Sequence, residues 1–202
     1  MSSEAETVLE KDFRDFTPEY DTGYWTKGLR RLRFNYKVYQ AILGSWIRLK
    51  FGYRKKCFTP KSKTFLTLVN HTNDLDPFFF SAMFPNYVRY VAAESILRKP
   101  VSGALISHLQ RPIPRKKGAS GAEVSYYIRE NLKNGISVAM FPEGVRSING
   151  RTGFISPRTA DLLKGTSAGL ITCRIYGGYL CHPLWAKHAR RGPGRAGMVH
   201  EY

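Results

Sequence analysis

The chain predicts an α/β fold, with a mixed, largely parallel sheet flanked by helices and preceded by an N-terminal amphipathic helical segment. Short apolar runs rich in β-branched and aromatic residues alternate with helix-like runs from residue 57 onward, the order that builds a parallel sheet with helical crossovers. Ahead of them, Trp25, Leu29, Leu32, Tyr36, Tyr39, Leu43 and Trp46 recur at steps of four and three. With 202 residues and 43% apolar content the chain can bury a core without disulfides or a structural metal. Three regions result: an acidic arm over residues 1–22, predicted mobile, a basic amphipathic segment over 23–56, and an α/β domain over 57–202.

Taken in order, the basic segment places Lys27, Arg30, Arg31, Arg33 and Lys37 beside the aromatic stripe, as one helix or as two broken near Gly44. Such a helix either anchors at a lipid interface or packs its stripe on the core. Residues 64–69 read as a buried strand, and a helix begins at Pro77. Strands follow at 87–92, 111–115, 136–141 and 170–175. Helices are expected at 100–109 and 120–133, the latter stopped by Gly135, with a helical turn at 159–164. The closing residues 198–202 look like the start of another strand.

Charge is distributed unevenly. The formal net charge is +17, yet residues 1–21 carry −5, leaving +22 on the remainder. No acid occurs between Asp21 and Asp74, a span with twelve Lys and Arg. A basic body of this kind suits an anionic partner: a phospholipid surface, a phosphorylated substrate or a nucleic acid. The three cysteines, Cys57, Cys173 and Cys181, are odd in number and lack a CxxC pair, which reads as a reducing compartment. The first residues lack a signal-peptide pattern, and no apolar run reaches the roughly 18 residues a spanning helix needs. Together these features predict a peripheral protein on the cytoplasmic face of a membrane.

The chemistry centres on Asn70-His71-Thr72-Asn73-Asp74-Leu75-Asp76-Pro77, a polar loop between the 64–69 strand and the next helix. Asp76 followed by Pro77 reads as a helix N-cap with proline at the first helical position. Folding of the loop then brings the Asp76 carboxylate to the His71 imidazole. A carboxylate on one ring nitrogen fixes the tautomer and leaves the other nitrogen free to take a proton. A capping Asp beside a surface His is the ordinary structural alternative. A second constellation, Phe141-Pro142-Glu143-Gly144-Val145-Arg146-Ser147, again follows a strand.

These stretches resemble the signatures of the 1-acyl-sn-glycerol-3-phosphate acyltransferase family. N-H-x-x-x-x-D and F-P-E-G-x-R-S are matched in full and in order, with Pro112-Ile113-Pro114-Arg115 similar to the intervening signature. The resemblance spans about residues 57–176. It implies an O-acyltransferase of phospholipid biosynthesis that moves an acyl group from a thioester, acyl-CoA or acyl carrier protein, to a lysophospholipid hydroxyl, with no bound cofactor or metal. It implies His71 and Asp76 as the catalytic pair and Arg115, Glu143, Gly144, Arg146 and Ser147 in acceptor binding. The guanidiniums suit a phosphate clamp. Arg115 is also readable as a solvated basic run with Lys116 and Lys117. Glu143 either binds glycerol hydroxyls or braces an arginine. Ser147 meets a phosphate or, by preference, caps the next segment.

Some features depart from the family. Residues 171–175 lack the proline of the fourth signature and carry Arg174, a departure in the segment that the resemblance links to the acyl donor, and the chain stops where family members run on. Other patterns are rejected. Ser167 in G-T-S-A-G lacks the strand-then-helix order of a nucleophile elbow. Residues 192–197 match G-x-G-x-x-G without the dinucleotide context, and Cys181, His182 and His188 lack a second close thiolate for zinc. The Asn70 sequon would matter only in a secreted chain. Two other classes are a catalytically silent lipid-surface module and a nucleic-acid-binding protein. The latter is disfavoured because no recognisable binding motif accompanies the charge.

Overall fold

The computed structural model describes residues 20, 22–52, 60–84, 86–100, 102–117, 121–183, 185–189 and 195–201. Most of the predicted acidic arm, Cys57 and the glycine-rich residues 192–194 lie outside them.

A short helix α1 (Thr22–Thr26) and a long helix α2 (Leu29–Phe51) precede the sheet. Then come β1 (Phe65–Val69), α3 (Asp76–Met83), β2 (Arg89–Ala93), α4 (Glu94–Leu97), α5 (Ser102–Gln110) and β3 (Ile113–Arg115). They are followed by α6 (Gly121–Lys133), β4 (Val138–Met140), a 3-10 helix (Pro157–Leu163), β5 (Gly169–Tyr176), α7 (Gly178–Cys181) and β6 (Arg195–Glu201). The six strands lie in the order β3-β2-β4-β1-β5-β6. Strands β1 to β5 are parallel, and β6 pairs antiparallel with β5. The predicted largely parallel sheet is therefore present.

The period of two along β1 divides the core. Phe65 and Val69 pack with Phe79 and Phe80 of α3 and with Ile47 and Phe51 of α2, whereas Leu66 and Leu68 join Tyr127, Ile128 and Leu132 of α6 on the other face. Register is fixed by pairings such as Thr67 with Ala139 of β4 and with Ile171 of β5. Gly135, at φ +71°, ends α6 as the sequence predicts.

The N-terminal segment decides two points that the sequence leaves open. The break falls at Gly28, at φ +69°, while Gly44 sits inside a continuous α2. A Cβ on Gly44 would lie 3.7 Å from that of Ala82, an ordinary packing distance, so α2 runs beside α3 there without requiring glycine. The predicted stripe mostly faces inward: Trp25, Leu32 and Tyr36 are buried, and only Trp46 among its members is well exposed. A different set, Phe34, Val38, Ile42 and Leu49, faces outward beside cations. The helix thus shows apolar residues on two sides instead of one.

Arg89, at the start of β2, is fully buried and draws α1 onto the sheet. Its guanidinium donates to Asn131 Oδ1, to the Trp25 carbonyl at 3.2 Å and to the Tyr87 hydroxyl at 3.3 Å. It also lies 5.0 Å from the Trp25 ring centre. Burial lowers its affinity for the proton, and the Tyr87 contact opposes that. No described helix is long and apolar enough to cross a membrane.

Candidate active site

The site gathers at the carboxyl ends of the parallel strands, where open α/β sheets hold their ligands. Strand β1 ends at Val69, and the next residue continues its pairing with a side chain. Asn70 Oδ1 accepts the Ile175 N–H at 2.6 Å and Nδ2 donates to the Ile175 carbonyl at 3.1 Å. The chain then turns, and His71 Nδ1 comes to lie 3.0 Å from Asp76 Oδ2.

Asp76 is fully buried. Its Oδ2 accepts the backbone N–H groups of Thr72 and of Asn73, the latter at 2.8 Å, and Oδ1 accepts the Thr72 hydroxyl at 3.0 Å. The predicted N-cap role is corrected here. Helix α3 starts at Asp76 itself, Leu75 occupies the cap position, and no side chain caps it. A cap reaches forward to N–H groups two or three residues on; this carboxylate reaches backward and closes the loop before it. Because the ionised carboxylate is acceptor-only, Nδ1 of His71 carries the proton and Nε2 keeps its lone pair. Nε2 makes no hydrogen bond among the described residues, and the side chain is 19% exposed. Phe141 stacks on the imidazole, with ring centres 4.3 Å apart and planes at 25°.

The loop after β4 grips the backbone of His71 from both sides. Glu143 Oε1 accepts the His71 N–H at 2.9 Å, and Ser147 N–H donates to the His71 carbonyl at 2.8 Å. Glu143 Oε2 accepts the Gly153 N–H at 2.8 Å. Glu143 thus braces two main-chain segments, and the arginine brace anticipated from sequence is absent among its described contacts. Ser147 is buried, with its hydroxyl 3.3 Å from Asn149 Oδ1, which also accepts the Arg151 N–H at 3.0 Å. Its contacts are those of a turn.

The guanidiniums differ in their surroundings. Arg115, at the end of β3, lies against Gly144: a Cβ there would stand 2.8 Å from Nη1, and φ at Gly144 is +69°. Arg115 has no hydrogen-bond acceptor among the described residues. Arg146 Nη1 is 2.8 Å from Asp74 Oδ2. His71, Asp76, Glu143 and Ser147 are thus joined by direct bonds, Arg115 and Gly144 touch, and Arg146 is held by a residue outside the expected set.

Residues 50–175 match the Acyltransferase family profile. The chain belongs to the acyltransferase family. No curated protein sequence matches it. Among solved structures, the crystal structure of the 1-acyl-sn-glycerophosphate (LPA) acyltransferase PlsC from Thermotoga maritima superposes with a TM-score of 0.63 at 16% identity. That alignment covers 98% of this chain and 78% of that one, and it shows a shared fold.

In this acyltransferase several supporting residues escaped sequence reasoning. Asn73 donates to the Gly178 carbonyl at 2.6 Å, linking the His71 loop to α7. A Cβ on Gly178 would meet Thr72 Oγ1 at 2.7 Å and Asp76 Oδ1 at 3.1 Å, so only glycine fits behind the carboxylate. The Gly177-Gly178 pair just after β5 is the sequence signal that carried it. Among rejected motifs, Ser167 lies in the loop leading into β5, with the strand after it rather than before. Cys173 and Cys181 are free and buried, and no group of three His, Cys, Asp or Glu among the described residues is placed to hold a metal.

Proposed function

We propose that this acyltransferase moves a fatty acyl group from an acyl thioester to the free hydroxyl of a lysophospholipid, with 1-acyl-sn-glycerol-3-phosphate as acceptor and phosphatidic acid as product. The observation that carries the reading is His71 with Nδ1 on a buried carboxylate and Nε2 free. In the reaction, Nε2 takes the proton of the acceptor hydroxyl while that oxygen bonds to the thioester carbonyl carbon. The tetrahedral adduct then collapses, the C–S bond breaks, and the imidazolium returns the proton to the departing thiolate. Asp76 stabilises the charged imidazole between the two steps. Nothing covalent forms on the protein, and no cofactor takes part.

Arg115 and Arg146 supply the forked donors that suit a phosphate, and Gly144 keeps the main chain out of the way beside Arg115. The donor is acyl-CoA or acyl carrier protein. An anionic phospholipid surface is the partner in this reading. It is supported by the outward Phe34, Val38, Ile42 and Leu49 of α2 standing among Arg30, Arg31, Lys37 and Arg48. In this reading the protein works peripherally, on the cytoplasmic face of a membrane.

The test is acyl transfer from a thioester to lysophosphatidic acid, with product mass measured for a set of acceptors and both donors. Loss of about a hundredfold or more in His71→Ala is expected. Undiminished turnover by a folded His71→Ala protein would end the proposal.

A further inference from the structure

We propose that residues 144–156, the loop that follows the Glu143 brace, form a second bilayer-contacting surface, separate from α2 and specific for anionic lipid. The proposal rests on the lipid-acceptor reading above.

The loop inverts the usual composition of a connection. It contains Val145, Ile148, Phe154 and Ile155, and no acidic residue occurs between Glu143 and Asp161. Val145 is 70% exposed, Ile148 72% and Phe154 80%. Single exposed apolar side chains are ordinary. Four in eleven residues, interspersed with Arg146 and Arg151 and followed by Arg158, match the pattern of a segment that meets lipid acyl chains and anionic headgroups together. Trp185, also 68% exposed, adjoins the loop through Tyr179, whose ring lies edge-on to it at 5.4 Å.

The loop owes its shape to polar contacts, which leaves these side chains free to face outward. Tyr179 donates its hydroxyl to the Ile148 carbonyl at 2.7 Å, and Gly150, at φ +77°, lies so close to the Tyr179 ring that a Cβ would stand 3.1 Å away. Gly153 is held by Glu143, the carboxylate that also holds His71. The lipid contact and the base therefore hang from one side chain. Charge decides the occupant: apart from Asp74, which pairs with Arg146, the loop and the arginine that follows it carry positive charge only, and with their apolar projections they fit an anionic bilayer.

The experiment compares the parent with Ile148→Ser/Phe154→Ser on vesicles of phosphatidylcholine and phosphatidylglycerol in equal parts, and on phosphatidylcholine alone. The double variant is expected to bind the anionic vesicles about tenfold more weakly. It is also expected to lose turnover with a vesicle-borne acceptor and keep turnover with a short-chain, water-soluble one. Phe154→Trp supplies a readout independent of activity, namely quenching by brominated lipid beyond that of the parent tryptophans. Unchanged vesicle binding by the double variant, or no added quenching from Phe154→Trp, overturns the proposal and leaves acyl transfer standing. Added quenching in a protein that acylates no lysophospholipid supports the loop contact and removes the acceptor reading. Self-association of the parent that the double variant abolishes, with no vesicle binding by either, assigns the loop to a second copy of the chain and overturns the proposal.

Discussion

Arg146 Nη1 lies 2.8 Å from Asp74 Oδ2, an ion pair between the loop that carries His71 and the loop that braces it. Both groups are partly exposed, so the pair is weak, worth about 0.2–1 kcal/mol. In the proposed reaction that carboxylate competes with the acceptor phosphate for the same guanidinium. Asp74→Asn is expected to lower KM for a phosphate-bearing acceptor about two- to fivefold, with kcat little changed. In an Arg146→Gln background the same substitution should have no effect on KM. Steady-state kinetics on the four proteins decide it, and a KM that rises in Asp74→Asn contradicts the competition.

Asp76→Asn replaces an acceptor-only group with one that presents an N–H to two backbone donors and a histidine. Turnover is expected to fall about a hundredfold or more. Stability should drop by about 1–3 kcal/mol, because buried donors lose their acceptor. Urea unfolding beside the activity assay separates the two effects, since a purely catalytic role would leave the midpoint in place.

Glu143→Gln leaves one acceptor oxygen for two N–H donors, those of His71 and Gly153. The His71 loop should lose its register more than the core loses stability. A fall in kcat of about tenfold or more is expected, with an unfolding midpoint close to the parent's. If the midpoint collapses together with activity, the side chain serves the fold at large.

Alkaline pH should weaken the fold. Burial pushes the Cys173 thiol up to about 12, and it raises the phenols of Tyr36, Tyr39, Tyr87 and Tyr90 above their usual range. The unfolded thiol and phenols release protons near 9.0 and 10.0, and the folded ones hold theirs, so from there upward the native state binds more protons. Stability is therefore complete below about pH 9 and declines as pH rises toward the folded values. Urea midpoints measured through this window should fall, and less steeply in Tyr36→Phe. Maleimide should not reach Cys173 in the folded protein at any pH in the stable range.

The sheet was legible because its strands are short apolar runs bounded by glycine and polar loops. β1, β2, β4 and β5 fall within a few residues of the sequence reading. The short helices α4 and α7 were missed, since four residues carry no period to detect. The orientation of α2 stayed open for a different reason. Helical spacing reveals that a stripe exists, yet both an inward and an outward stripe satisfy it when Phe34, Val38, Ile42 and Leu49 repeat alongside Leu32, Tyr36 and Leu43. At the site, the contact of Asp76 with His71 was legible, whereas the carboxylate's hold on the backbone of the preceding loop was not. A proline after an aspartate signals a helix start, and it does not reveal that Thr72 and Asn73 would offer their N–H groups from behind. Asp74, two positions before Asp76, has no role in the sequence reading, because its partner is 72 residues away.

Arg89 bears on how far this fold can be pared down. Its guanidinium is enclosed with no described carboxylate opposite, and the Trp25 carbonyl together with the indole completes its coordination. The stretch bearing the family signatures is consequently not a portable cassette. Excising the first thirty residues would bare a buried cation at the amino end of β2, and a graft or minimal enzyme drawn from this chain has to carry its N-terminal turn along.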